Sequence, residues 1–551
     1  RNKVMCGVIG TTVGHRFDNF LLNSLSHRGP NDRGYFHDVN VSLGHTRLSI
    51  IDQAGGHQPM HDENAVLIFN GEIYNYRSIK NKLIKLGHTF STRSDTEVIL
   101  SAYKEFGITK TLEMLNGMFA FIIYDKRKKV LFAARDRLGI KPLFYSTING
   151  FSFCSELKPL VDIIGKHNLS ISSSALSMYF ASFYISAPLT IWNQISSVEP
   201  GHYLEYDIKN KDLVDKTYWN IPIINRAETN IDVLHELLFD ATRLRMNSDV
   251  PYGAYLSGGV DSSIITGLMS RISNNSVKTY NAEIRDDTLN EKRYATKVAK
   301  KYNTDHTTLA IEYDDITIQK LKYLLRLFGQ PFADSSMIPT YEISKKISQH
   351  ITVALGGDGS DELFCGYNKY NNLDKGIQNI FYRNNDINRI LRKKHQINVY
   401  GYMKDTVAYN KSEDLELLRL LDMRFFLEGD ILQKVDRLSM ANSLEVRVPF
   451  LDHNVVEYSC AMHNDIIFNN IRKFPVKSIL EKDFSKEFVH RDKIGFMLDT
   501  KNFHNFLISE LKNRNTIGNE FIKINTDIYN DAYSSFALLI FKLWIEENYE
   551  S

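Results

Sequence analysis

Between Cys6 and about residue 215, short runs rich in apolar residues follow one another: SLGHTRLSIID, AVLIFNGEIYN, MFAFIIYD and VLFAARD, with Gly, Asn and Asp between them. Strand side chains alternate between two faces, so such runs bounded by turn residues predict short antiparallel strands. Two stretches break the rhythm. Around Tyr76–Leu86 and Asp95–Phe106 the apolar residues recur at three- and four-residue spacing, which predicts helices. Strands interrupted by a few helices suit an α+β sandwich spanning residues 6–215.

After Pro222 and the polar run NRAETN the grammar changes. Long helical stretches alternate with the short β-rich runs PYGAYL, VKTYNAEI and ITVALGG, the mark of an α/β doubly wound parallel sheet. The junction falls between residues 215 and 230, and a second domain is expected over 230–551, with added helices beyond residue 370. A chain of 551 residues has room for both cores.

Composition narrows the partners. The 67 basic and 65 acidic residues leave a net charge of +2, spread along the chain, so no long-range field points to nucleic acid or to a membrane surface. An anionic ligand must be held locally. The longest apolar stretches fall short of a membrane span and no basic-then-apolar leader opens the chain, so a cytoplasmic protein is expected. The four cysteines, at 6, 154, 365 and 460, have no metal-ligand spacing; the last three read as small core residues.

Two glycine-rich strings carry chemistry. In YLSGGVDSSIITGLM a strand runs through Leu256 into Ser257, Gly258 and Gly259, and a helix opens near Asp261. Unobstructed backbone amides at a helix N-terminus bind anions, and Ser262 and Ser263 can add hydroxyl donors. No lysine follows in the manner of a Walker loop. In TVALGGDGSDE a second strand delivers Gly356, Gly357, Asp358, Asp361 and Glu362 to the carboxyl edge of the sheet, where open α/β folds bind ligands. Carboxylates beside a phosphate site repel it unless a divalent cation intervenes, so Asp261 and Asp361 are candidate Mg2+ holders.

The SGGVDSS loop resembles that of the N-type ATP pyrophosphatases. With GGDGSDE, the run VDRLSMANSLEVRVPFLDH at 435–453 and the N-terminal half, nearly the whole chain is similar to the glutamine-dependent asparagine synthetases. That resemblance implies ATP cleavage between the α- and β-phosphates, an acyl-adenylate of aspartate, and its capture by ammonia. By matching motif, Leu256, Ser257 through Ser263, Gly356 and Gly357 would bind ATP, Asp261 and Asp361 its Mg2+, and Asp358 would sit near the ammonia. Lys477 in RKFPVKSIL would steady the charge of adenylation, and is favoured over Lys473, which lies four residues earlier on what reads as the same helical face. The family commonly has serine where this chain has Gly356.

In the first half, Cys6-Gly7, HRGPNDRG, LGHTRLSIID, FNGEIYN and SDTEV resemble, in order, a class II glutamine amidotransferase domain, which has an Ntn-hydrolase-like αββα sandwich. The likeness implies Cys6 as nucleophile with its own α-amine as base. It places Arg47, Glu72 and Asp95 on glutamine and Asn70 with the Gly71 N–H on the oxyanion. Taken singly, Arg47 reads as a surface ion-pair partner, Asp95 as a helix cap and Asn70-Gly71 as a hairpin turn; their joint order favours the site. The active chain is expected to begin at Cys6 after removal of Met5. Family likeness also implies a homodimer. An acceptor other than aspartate, such as a uronic acid, and a non-catalytic relative remain alternatives at this stage.

Overall fold

The computed structural model describes residues 6–13, 23–25, 27–29, 31–222, 230–284, 291–311, 317–377, 388–408, 413–468, 471–491, 500–523 and 531–549. Met5, Pro30 and residues 223–229 of the expected junction lie outside them.

Two six-stranded antiparallel sheets form the first half. In one, the strands run in the order Ser196–Ser197, Phe144–Ser146, Ser152–Cys154, Gly7–Thr11, Ser42–Arg47, Asp32–His37; in the other, Asp212–Thr217, His202–Asp207, Val130–Arg135, Gly117–Asp125, Ala65–Ile73, Met60–His61. Alternation along Ala65–Ile73 explains the layering. Val66 and Ile68 join Val8, Leu43, Ile122 and Ala133 between the two sheets. Leu67 and Phe69 belong instead to the core shared with Ile79, Leu83 and Val98 of the covering helices. Leu157 and Leu160, from the helix Leu157–Ile164, pack by Ile9 and Cys154 of the first sheet, which completes an αββα sandwich. The helix expected to stop at Phe106 reaches Met114; its first run does end there, at a kink where Gly107 takes φ 74°, and turns then resume.

The second half is built on five parallel strands in the order Asp305–Ile311, Lys278–Ile284, Tyr252–Tyr255, Val353–Leu355, Glu445–Arg447. Tyr252–Tyr255 comes first in sequence; the next two strands lie on one side of it and the last two on the other. The order therefore reverses between Tyr252–Tyr255 and Val353–Leu355, and the loops leaving their carboxyl ends are the two glycine-rich strings. Such a switch point opens a crevice for ligands. FALLIFKLWI lies in the helix Ala532–Asn548, which is docked on the first half: Tyr179 donates to the Ala537 carbonyl at 2.7 Å, and Trp192 packs on Trp544. Among the described residues no helix is long and apolar enough to cross a membrane.

Candidate active sites

The first site forms where the strand Gly7–Thr11 begins. Cys6 is buried beside Leu48, whose N–H donates to Sγ at 3.4 Å, and the pocket around it is lined by Arg47, Gly71, Glu72 and Asp95. Burial pushes the Cys6 thiol up to about 11, so a base must take its proton before it attacks. Arg47 is no surface residue: three backbone carbonyls, of Ile51, Asp52 and Gln53, hold its guanidinium at 2.8–3.1 Å. Nor does Asp95 cap its helix. Ser94 does, accepting from the Thr96 N–H, while Asp95 Oδ2 accepts from the Ile73 N–H at 3.0 Å.

Asn70 and Gly71 lie inside the strand Ala65–Ile73, not in a hairpin turn. Gly71 has φ 149°, and a Cβ there would meet the Met118 carbonyl at 2.0 Å, so only glycine lets this strand pair closely with Gly117–Asp125. Asn70 is fully buried, yet neither its Oδ1 nor its Nδ2 has a hydrogen-bond partner, and the same holds for Glu72 Oε1. Buried polar groups are normally paired, so these orphans mark a ligand position. One lining residue comes from the other half: Glu445, joined through Arg447 (Nε to Oε1, 2.7 Å) to Glu72 (Nη2 to Oε2, 3.1 Å).

The second site is a cavity of about 620 Å³ at the switch point. Of the residues the motifs name, Leu256, Ser257, Gly259, Asp261, Ser262, Gly356, Gly357, Asp358, Asp361 and Lys477 line it. Ser257 Oγ accepts from the Gly259 N–H at 3.2 Å, which shapes the turn into the helix Val260–Ile272. Two predicted residues stand apart. Ser263 is fully buried and does not line the cavity. Gly258 instead lets the loop approach the next helix: at φ 78°, a Cβ on it would lie 2.5 Å from the Ala295 nitrogen. At Gly356 a Cβ would meet Asp358 Oδ2 at 2.7 Å, so the serine common in the family would force that carboxylate to move.

Asp261 and Asp361 converge on one cation. It is the ammonium of Lys473, 2.6 Å from Asp261 Oδ2 and 2.8 Å from Asp361 Oδ1. Lys473 and Lys477 do not share a helical face, because the helix spans Phe474–Leu480 and Lys473 precedes it in the left-handed conformation (φ 59°, ψ 33°). Lys477 lines the same cavity from within the helix. Hard carboxylate oxygens around one cationic position, with Asp261 Oδ1 buried and unpartnered, fit a Mg2+ ion. Sequence reasoning weighed Lys473 but favoured Lys477, and it missed Glu445, Arg447, Lys434 and Arg491, whose guanidinium donates to the Gly258 carbonyl. Glu445, Arg447 and Lys434 lie in or beside the quoted run at 435–453, but nothing in a linear sequence says what they meet.

Two family models divide the chain: one described as a glutamine amidotransferase domain matches residues 5–219, and one described as asparagine synthase matches 233–516. Asparagine synthetase [glutamine-hydrolyzing] 1 of Bacillus subtilis is 32% identical over 89% of this chain and 87% of its own length. A putative asparagine synthetase [glutamine-hydrolyzing] 2 of Methanocaldococcus jannaschii is 35% identical over 66% of this chain and 76% of its own. On these matches the chain belongs to the glutamine-hydrolysing asparagine synthetases, a family of ATP-dependent carbon–nitrogen ligases.

Proposed function

We propose that the chain makes asparagine from aspartate, ATP and glutamine, with residues 6–215 as the glutaminase and 230–551 as the synthetase. In the first site Cys6 Sγ attacks the glutamine carboxamide, ammonia leaves, and water releases glutamate from the thioester. Once Cys6 is the first residue, its α-amine takes the thiol proton, a role suited to an amine whose pKa is about 8. Arg47 takes the substrate carboxylate and Asp95 its ammonium, and the orphaned Asn70 amide with the Gly71 N–H receives the oxyanion.

In the second site an oxygen of the aspartate side-chain carboxylate attacks the α-phosphorus and pyrophosphate departs. Ammonia then attacks the acyl carbon, loses a proton, and AMP leaves. The amides and hydroxyls of Ser257 through Ser262 bind the pyrophosphate, and Lys473 with Lys477 offsets its charge. Asp261 and Asp361 would hold Mg2+, which when bound neutralises the same phosphates. The cytoplasm, where glutamine and ATP are abundant, suits this reaction.

The observation that carries the reading is the meeting of both glycine-rich loops at one cavity, with Gly357 packed on Asp261, in a chain whose other pocket holds Cys6. Protein beginning at Cys6, given amide-15N glutamine, Mg-ATP and aspartate, is expected to yield labelled asparagine together with AMP by mass spectrometry. Glutamate without asparagine would leave the glutaminase standing and assign the synthetase site to another acceptor.

A further inference from the structure

The strands His202–Asp207 and Asp212–Thr217 form one edge of the second six-stranded sheet, and none of their residues lines either cavity. The pair has two faces. Tyr203, Glu205 and Lys216 share one, where Lys216 pairs with Glu205 at 2.5 Å. The other carries Leu204 and Tyr206 into the core between the sheets, with Leu213 packed against them. Alternation puts His202, Asp215 and Thr217 on that second face. At its open end, therefore, the apolar pattern gives way to polar side chains.

The backbone brings these groups together. Glu199-Pro200-Gly201-His202 is a tight turn: the His202 N–H donates to the Glu199 carbonyl at 3.2 Å, proline presets the second position, and Gly201 takes φ 74° at the third. The first and fourth residues of such a turn lie within about 7 Å, so Glu199 joins the group. Across the ladder His202 faces Thr217 directly and Asp215 diagonally. Its Nδ1 lies 2.7 Å from Asp215 Oδ1, and its Nε2 3.1 Å from Thr217 Oγ1. One donor atom from each of Glu199, His202 and Asp215 falls within 4.8 Å of the other two. The three side chains are 25%, 17% and 41% exposed, which lets an ion enter and water complete its shell.

An imidazole nitrogen with two carboxylates is a mixed donor set, suited to zinc and its neighbours rather than to Mg2+, which takes oxygen. Zinc bonds to such donors at about 2.0–2.2 Å, so ligand atoms on one ion lie up to about 4 Å apart, and small side-chain rotations close the observed span. Two contacts outside the donor set suit a metal as well. Thr217 Oγ1 meets the far ring nitrogen, the outer hydrogen bond that fixes the tautomer of a ligating histidine. Arg424, from the second half of the chain, holds Glu199 by Oε2 and leaves Oε1 for the ion. We propose that Glu199, His202 and Asp215 bind one divalent transition-metal ion of the zinc class, through Glu199 Oε1, His202 Nδ1 and an Asp215 oxygen, with water in the open position. The ion replaces the hydrogen bond between His202 and Asp215 and ties the edge strand to a turn that Arg424 grips, so it adds stability and takes no part in either reaction.

Calorimetric titration of the full chain with zinc chloride tests this, with Mg2+ in excess throughout to occupy the carboxylates of the nucleotide site. One-to-one binding is expected, weakened at least about tenfold in His202→Ala and in Asp215→Asn. Zinc is also expected to raise the melting temperature of the parent chain more than that of either variant, because an ion that binds only the folded state stabilises it. No binding to the parent overturns the proposal, and so do titrations that match in the parent and both variants. Asp215→Asn keeps the shape of an exposed side chain, so it decides the matter should His202→Ala fail to fold by circular dichroism.

Discussion

Asp95 is 6% exposed, and burial pushes its carboxyl up to about 6 even though the Ile73 and Thr96 N–H groups pull the other way. A carboxylate that clamps an ammonium must be ionised. Protonation of the α-amine already sets an acid limb of about tenfold per pH unit below about pH 8; as pH falls through about 6 Asp95 takes up a proton as well and loses its charge, so the fall in kcat/KM for glutamine is expected to steepen to about a hundredfold per pH unit below that point. Glutaminase assays without ATP between pH 5 and 8 check this, and Asp95→Asn is expected to lose the second step along with about 10- to 100-fold in kcat/KM. A parent profile that does not steepen below about pH 6 would remove Asp95 from this role. Single residues of this kind were legible because motif order named them, not because their surroundings were. The choice between Lys473 and Lys477 shows the limit. Spacing four residues apart reads as one helical face, but Lys473 takes φ 59° ahead of the helix, and that turn carries its ammonium onto Asp261 and Asp361. Left-handed backbone at a lysine has no signature in a sequence.

At the scale of elements, the strands and the two glycine-rich turns could be read directly, since alternation and glycine placement follow from backbone geometry. The segment Asp422–Leu432 could not: it winds with π-type turns before regular helix resumes at Gln433, and its residues have ordinary helical preferences. The helix Gln433–Met440 has two working faces. Lys434 and Ser439 look into the synthetase cavity, and Asp436, on another face, pairs with Arg28 at 2.9 Å and Lys141 at 3.2 Å from the first half. Arg28 in turn donates to the Cys6 carbonyl at 3.3 Å. The phosphate loop depends on element packing in another way. Gly258→Ala would push a Cβ against the backbone of Tyr294 and Ala295 while asking alanine to adopt φ 78°. A cost of about 1–3 kcal/mol is expected from the conformation alone. The loop relieves it by moving, so the rise in melting temperature on adding Mg-ATP is expected to shrink or vanish. An undiminished ATP-dependent shift in Gly258→Ala would show that this close approach does not shape the nucleotide site.

Across the whole molecule, the two halves meet through buried charge. Besides Asp436, Arg135 pairs with Glu428 at 2.9 Å, Arg447 with Glu72 at 3.1 Å, and the Asn116 amide donates to Asp452 at 2.9 Å. None of these partnerships was visible in the sequence, because each joins residues more than 290 positions apart. Buried pairs add little net stability over apolar packing, but removing one partner strands the other, at about 3–5 kcal/mol. Their direction with pH follows from the carboxylates whose cations outweigh burial; Glu72, which burial pushes well above the usual range, is not one of them. Glu156 pairs with Arg28 at 3.1 Å and faces Arg437 of the second half at 3.6 Å. Burial raises Asp436, Glu156 and Asp452, but the cations around each outweigh burial and hold all three below the usual range, Glu156 and Asp452 at about 2. A folded pKa below the unfolded one contributes stability that is present above about pH 4 and is lost as pH falls toward 2. The urea midpoint is therefore expected to drop steeply between about pH 4 and 2. Asp436→Asn leaves Arg28 and Lys141 short of a carboxylate, so it lowers the midpoint at pH 7 and, with one fewer proton taken up, flattens the acid dependence. Equal slopes in the two proteins would mean that folding leaves the Asp436 pKa unchanged, and the account of this interface as a set of charged clasps would fail.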